Sequence, residues 1–216
     1  MPQVFITPRF TLRAVAESDL DALLRNFSDR ALMRYYDGTP LDDLAAVREL
    51  LETWRRRERK GTGLRWAIAR KDNDELIGTF GLHDIDRRAR CAQIGCEVAR
   101  AYWGRKVMNE IAPVIGRHVF EELDLRRLDA CIAPRNRASI ALIESLGFRR
   151  RRLLRQRMIL NGRRSDVFLY SMTRARYRAL VRPGVLATLA EMPALAREML
   201  AGAIHEFGAP YQRRVR

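Results

Sequence analysis

Two hydrophobic periods alternate along the chain, and the points where one gives way to the other lay out its elements. Phe5 to Arg13 alternates apolar and polar residues with Phe10 and Leu12 on one face, a period of two that predicts a strand. Ser18 ahead of Asp19-Leu20-Asp21-Ala22-Leu23-Leu24 predicts a capped helix start with acids in its first turn. From Pro40 through Lys60 the apolar residues Leu44, Val47, Leu50, Leu51 and Trp54 recur at three-to-four spacing, which predicts an amphipathic helix closed by Gly61 and Gly63.

Three β signals follow, Leu64 to Ala69, Glu75 to Ile85 and Cys91 to Ala99. The polar loops Lys71-Asp72-Asn73-Asp74 and Asp86-Arg87-Arg88 separate them, as in an antiparallel meander. A helix is expected from Gly104 to Leu123, then a strand from Arg127 to Ala133. A further helix runs from Asn136 to Leu146, where Gly147 stops it. The last pair, 150–160 with 165–172, reads as a hairpin turned at Asn161-Gly162. This order of elements gives an α+β, or mixed α/β, domain around one sheet. Beyond the break Arg182-Pro183-Gly184, Val185 to Phe207 is a helical extension, bent or split at Pro193. Its apolar stripe would pack back on the domain or form a two-fold dimer contact, and the dimer is the expectation. The organisation is therefore one domain over 1–174 and an extension over 175–216.

Composition narrows the class. Apolar residues make up 47% and charged residues 31%, as in ordinary globular proteins, and no apolar run approaches the roughly 20 residues of a membrane span. The start lacks the apolar stretch of a signal peptide, so a cytoplasmic setting without membrane partners is expected. Cys91, Cys96 and Cys131 have neither metal-ligand nor redox spacing, which points to free thiols and no metal site. The net charge of +15 invites a nucleic-acid reading. Yet only Lys60, Lys71 and Lys106 are lysines, leaving 38 arginines, a skew that codon composition alone produces. A nucleic-acid partner is therefore not expected, and a strongly cationic substrate is disfavoured.

The candidate chemistry lies between Ile94 and Phe148. The strand Ile94-Gly95-Cys96-Glu97-Val98-Ala99, the basic turn Tyr102-Trp103-Gly104-Arg105-Lys106 and the helix behind it direct amides and a helix N-terminus at one point, a site for pyrophosphate. The same pattern also occurs before helices that bind nothing. By alternation Glu97 projects from the strand face opposite Cys96. A carboxylate there is either a general base in a desolvated cleft or the partner of an arginine.

A second element, Asn136-Arg137-Ala138-Ser139 continuing to Leu146-Gly147-Phe148, adds to this block. So do Thr7-Pro8-Arg9-Phe10-Thr11-Leu12-Arg13, Glu17-Ser18-Asp19 and Ile77-Gly78-Thr79-Phe80-Gly81-Leu82-His83. Over about residues 5 to 174 this set resembles the GNAT N-acetyltransferase superfamily, and within it the branch of the ribosomal-protein alanine and serine N-acetyltransferases. The resemblance implies a mostly antiparallel, splayed central sheet flanked by helices, with the pantetheine of acetyl-CoA in the splay. It implies acetyl transfer to a primary amine, on a protein N-terminus or a small molecule, by direct attack in a ternary complex.

Carried over residue by residue, the backbone of Glu97 and Val98 would bond the pantetheine, with an amide there as oxyanion donor. Trp103, Gly104, Arg105, Lys106, Val107 and Met108 would cradle the pyrophosphate. Asn136 would bond the pantetheine or the adjacent chain. Glu97 would be the general base and Ser139 the acid for the departing thiolate. One position departs from the family pattern, since Lys106 stands where a glycine is usual. Either its side chain swings outward and adds a phosphate contact, or it obstructs the loop and leaves a non-catalytic binding module. His83 and Glu110 read as structural. The run Arg149-Arg150-Arg151-Arg152 with Arg155 and Arg157 reads as a solvated hairpin face, the adenosine 3'-phosphate and RNA being the alternatives.

Overall fold

The computed structural model describes residues 2–36, 38–160 and 162–181. Eight strands form one sheet in the order β1-β2-β3-β4-β5-β6-β8-β7. They are β1 (Phe5–Ile6), β2 (Phe10–Ala14), β3 (Gly63–Arg70), β4 (Leu76–Asp86), β5 (Cys91–Val98), β6 (Arg127–Ile132), β7 (Arg149–Leu160) and β8 (Arg163–Thr173). All neighbours pair antiparallel except β5 and β6, which are parallel. The helices are α1 (Leu20–Ser28), α2 (Arg30–Met33), α3 (Leu44–Arg59), α4 (Val107–Arg117), α5 (Arg137–Ser145) and α6 (Arg174–Val181).

The sheet has a core on each face. On one, Leu23, Phe27, Val47, Leu51 and Trp54 of α1 and α3 bury against Ala67 and Leu76. On the other, Ile111 and Ile115 of α4, Ile143 of α5 and Tyr177 of α6 bury against Trp66, Phe80, Leu128 and Tyr170. The boundary expected at 174/175 thus falls inside α6, whose Tyr177 belongs to this second core. The rest of the extension, with its apolar stripe, lies outside the described residues.

Several expected boundaries move for local reasons. The N-terminal strand is two strands, because the chain turns at Thr7-Pro8-Arg9. There the Thr7 amide donates to the Phe10 carbonyl at 2.8 Å, and Pro8 has no ladder donor to offer. Ser18 does not cap α1; a short 3₁₀ turn spans Glu17–Asp19, and Asp19 accepts the Ala16 amide at 2.8 Å instead. The third helix begins at Leu44 rather than Pro40, because the Asp43 carboxylate accepts the Ala46 amide at 2.8 Å and captures the cap. The fourth begins at Val107 rather than Gly104, because Gly104 (φ +71°) and Lys106 (φ +57°) are left-handed. It then ends in a π-helical turn, His118–Glu122. Gly162 takes the positive φ expected of the hairpin turn, +74°, while Asn161 lies outside the described residues.

Candidate active site

The parallel seam is short. Cys91, Ala92 and Gln93 pair with Arg127, Leu128 and Asp129, after which β5 continues to Val98 without β6 beside it. The Ala99 amide donates to the Ile77 carbonyl at 2.7 Å, which fixes the phase of the β4–β5 ladder. By antiparallel alternation Glu97 then spends its backbone groups on Thr79, while Cys96 and Val98 turn theirs toward the parting from β6. The backbone groups that the β4–β5 ladder leaves over at the parting are therefore those of Cys96 and Val98. Glu97, expected to contribute its backbone, is committed to the ladder.

The Val98 carbonyl is also partly claimed. The Trp103 indole N–H donates to it at 2.7 Å, although the Trp103 side chain remains half exposed. The Val98 amide is the group left for a ligand. An apolar groove of about 360 Å³ continues from this parting between α4 and α5, lined by Ile94, Cys96, Met108, Ile111, Leu142 and Leu146 among others. Its size and apolar lining suit an extended thioester arm.

Above the groove stands the N-terminus of α4. The first amides of the helix have no carbonyl one turn back, so Val107, Met108 and Asn109 present donors at the positive end of the dipole. The Asn109 Nδ2 is also buried without a partner. The Val107 side chain is in the core and the Met108 side chain lines the groove, so only their amides can serve a phosphate. Arg105 and Lys106 are exposed at this mouth. Lys106 takes φ +57° and ψ +27°, a left-handed conformation that glycine adopts more readily, at the position where the resemblance leads to the expectation of a glycine.

The loop is held from below by a contact absent from the sequence reading. Glu110, in the first turn of α4, accepts the Thr7 hydroxyl at 2.7 Å, the Arg9 amide at 2.8 Å and the Arg9 Nε at 2.6 Å. Arg9 Nη2 also donates to the Arg105 carbonyl at 3.0 Å. The Thr-Pro-Arg turn thereby braces the loop that leads into α4, a role that helix-dipole placement alone did not suggest.

On the opposite face of β5, Glu97 is 5% exposed. Thr79 donates its hydroxyl to Oε1 in a short hydrogen bond, while Oε2 has no hydrogen-bond partner and lies 3.6 Å from Arg65 Nη1. Burial pushes the carboxyl up to about 7, against the pull of Arg65 and of the Thr79 bond. Arg65 is held in turn by the Tyr36 hydroxyl at 3.1 Å and by the Trp54 ring, its guanidinium carbon 4.5 Å from the ring centre. A Cβ on Gly95 would come 3.7 Å from the His83 ring, so His83 flanks the same face two residues from Glu97.

Asn136 and Ser139 stand across the parting, at the start of α5. The Asn136 Oδ1 accepts the Ser139 amide at 3.2 Å, so the expected ligand residue is first an N-cap, with its Nδ2 left over. The Ser139 side chain is partly exposed. The structure brings Trp103 through Met108 together at one helix mouth. It joins neither Asn136 nor Ser139 to Glu97 by a hydrogen bond.

Comparison with known proteins agrees with this geometry. A family model described as an acetyltransferase (GNAT) domain matches residues 9–149. The chain is 32% identical over 175 residues to the uncharacterised N-acetyltransferase p20 of Bacillus licheniformis, covering 81% of this chain and 98% of that one. Among solved structures, Mycobacterium smegmatis RimJ in complex with CoA-disulfide aligns with a TM-score of 0.73 at 22% identity, covering 93% of each chain. The spermidine N-acetyltransferase of Vibrio cholerae, in complex with CoA and spermine, aligns with a TM-score of 0.68 at 23% identity, covering 78% of this chain and 97% of that one. The parted strands, the helix mouth above them and the matched sequence together place this chain in the GNAT acetyltransferase family, as an N-acetyltransferase that uses acetyl-CoA.

Proposed function

We propose that the chain transfers an acetyl group directly to the primary amine of a protein N-terminus or a small molecule, with Glu97 as the proton acceptor. The observation that carries this reading is the Glu97 carboxylate, buried on the face opposite the groove, with one oxygen free of hydrogen bonds beside Arg65 and a pKa near 7. A group poised near neutrality takes a proton from an ammonium and yields it again without a large barrier. Acetyl-CoA, when bound, supplies the activated acyl group. The Cys96 and Val98 amides and the first amides of α4 are the groups of this chain that would hold it. Thr79 and Arg65 fix the Glu97 carboxylate, so an amine arriving from the α1–α3 face meets an oriented acceptor. Ser139, on the first turn of α5, is assigned the proton for the departing sulfur.

The test is release of free CoA from acetyl-CoA against a panel of peptide N-termini and small amines. Amine-dependent release is expected. No release with any acceptor, together with no heat on titrating CoA, would remove the reading.

A further inference from the structure

The β7–β8 hairpin carries eight arginines between 149 and 164 and no acidic residue in that span. All eight are exposed, and among the described residues none has a carboxylate within ion-pair distance. Elsewhere paired and unpaired arginines are interspersed: Arg9–Glu110, Arg13–Asp19, Arg55–Glu17, Arg100–Asp29 and Arg127–Asp129 are ion pairs, so no other stretch of the described chain gathers as many exposed arginines without a carboxylate among them. The unmatched charge is therefore densest at the hairpin. The one acid of the hairpin, Asp166, accepts the Gln156 amide at 2.8 Å and has no arginine within ion-pair distance among the described residues.

The hairpin also sits beside the amine-accepting face. The Gly38 amide donates to the Ile159 carbonyl at 3.2 Å, and Gly38 forms a parallel bridge with Leu160. Two residues before Gly38, Tyr36 holds Arg65, which faces Glu97. The tip of the arginine hairpin is thus bonded to the chain just after Tyr36, whose hydroxyl holds the arginine that faces Glu97.

We infer that the acceptor is an acidic polypeptide segment whose N-terminal amine enters at Glu97 while its following carboxylates lie on the hairpin arginines. This rests on the N-acetyltransferase reading. A chain that delivers an amine and acidic side chains from one end satisfies both features, and RNA does not supply the amine. A polyamine would be repelled by the same surface.

The experiment uses the full chain and peptides that share one N-terminal residue and differ in whether the residues after it are acidic, neutral or basic. The acidic peptide is expected to show a KM about tenfold below the neutral one, an advantage that fades as salt is raised. Replacing Arg155, Arg157 and Arg163 together by Gln should bring that ratio close to one. Replacing Arg87 and Arg88 by Gln, on the distant β4–β5 turn, should leave it in place and so separate a local surface from net charge. Equal KM values for the three peptides, or a preference that survives the triple substitution in a folded variant, would overturn the inference. If no peptide is acetylated, the catalytic reading fails on its own, and fluorescence anisotropy of the labelled peptides still decides this one. Acidic binding about tenfold tighter than neutral upholds it, and equal binding overturns it. An RNA oligonucleotide that displaces the acidic peptide and binds more tightly also overturns it.

Discussion

At the scale of single residues, Glu97 is the proposed proton acceptor and Lys106 the departure from pattern. Glu97→Gln keeps the shape and the bond from Thr79 but removes the proton acceptor. Turnover should fall by about 10²–10⁴-fold, and the rise of activity with pH through about 7 should vanish. A variant that keeps that limb would assign it to another group. Lys106 shows how a sequence exception is absorbed. It adopts the left-handed conformation at a cost of about 1–2 kcal/mol, so Lys106→Gly should raise stability by about that much in thermal or denaturant unfolding. If Lys106 is compatible with binding, CoA affinity should change by less than about tenfold in the same variant. A gain of several orders of magnitude would mark the native loop as obstructed.

At the scale of elements, the brace between the β1–β2 turn and α4 is the least expected feature. Glu110→Ala leaves the Arg9 guanidinium without its carboxylate and the Thr7 hydroxyl with only the Phe10 carbonyl to donate to. The loop from Trp103 to Lys106 should loosen and CoA should bind about tenfold more weakly by calorimetry, at a modest cost in stability because Arg9 is half exposed. The elements themselves were largely legible, because their signals are local. The alternation in β3 to β5, the three-to-four spacing of Val47, Leu51 and Trp54, and the stop at Gly147 each depend on near neighbours. Their ends were less legible where two caps compete, as at Ser18 and Asp19 or Pro40 and Asp43. The site was legible as a set of strand and loop positions, but not as a set of bonds. The Trp103 bond to Val98 and the Arg9 bond to Glu110 depend on which distant backbone groups are left over once the sheet has formed, and no spacing rule records that.

At the scale of the whole molecule, one sheet separates two cores, and Glu97 is an acid buried close to that division. Its carboxyl rises from an ordinary 4.5 to about 7 on folding, so the folded state favours the protonated form. The sign follows from linkage: stability from this group is full below about 4.5 and is lost as pH climbs through about 7. The loss is on the order of 3 kcal/mol. Denaturant titrations of the wild type and Glu97→Gln across that window should diverge in this direction, the variant holding its stability as pH increases. Among the described residues no helix is long and apolar enough to cross a membrane, and all three cysteines are free thiols. The Arg9–Glu110 contact has a practical corollary for handling the protein. The first ten residues brace the entry to α4 through Arg9 and also seat Phe5 and Phe10 in the core, so trimming at that end should cost stability together with the brace.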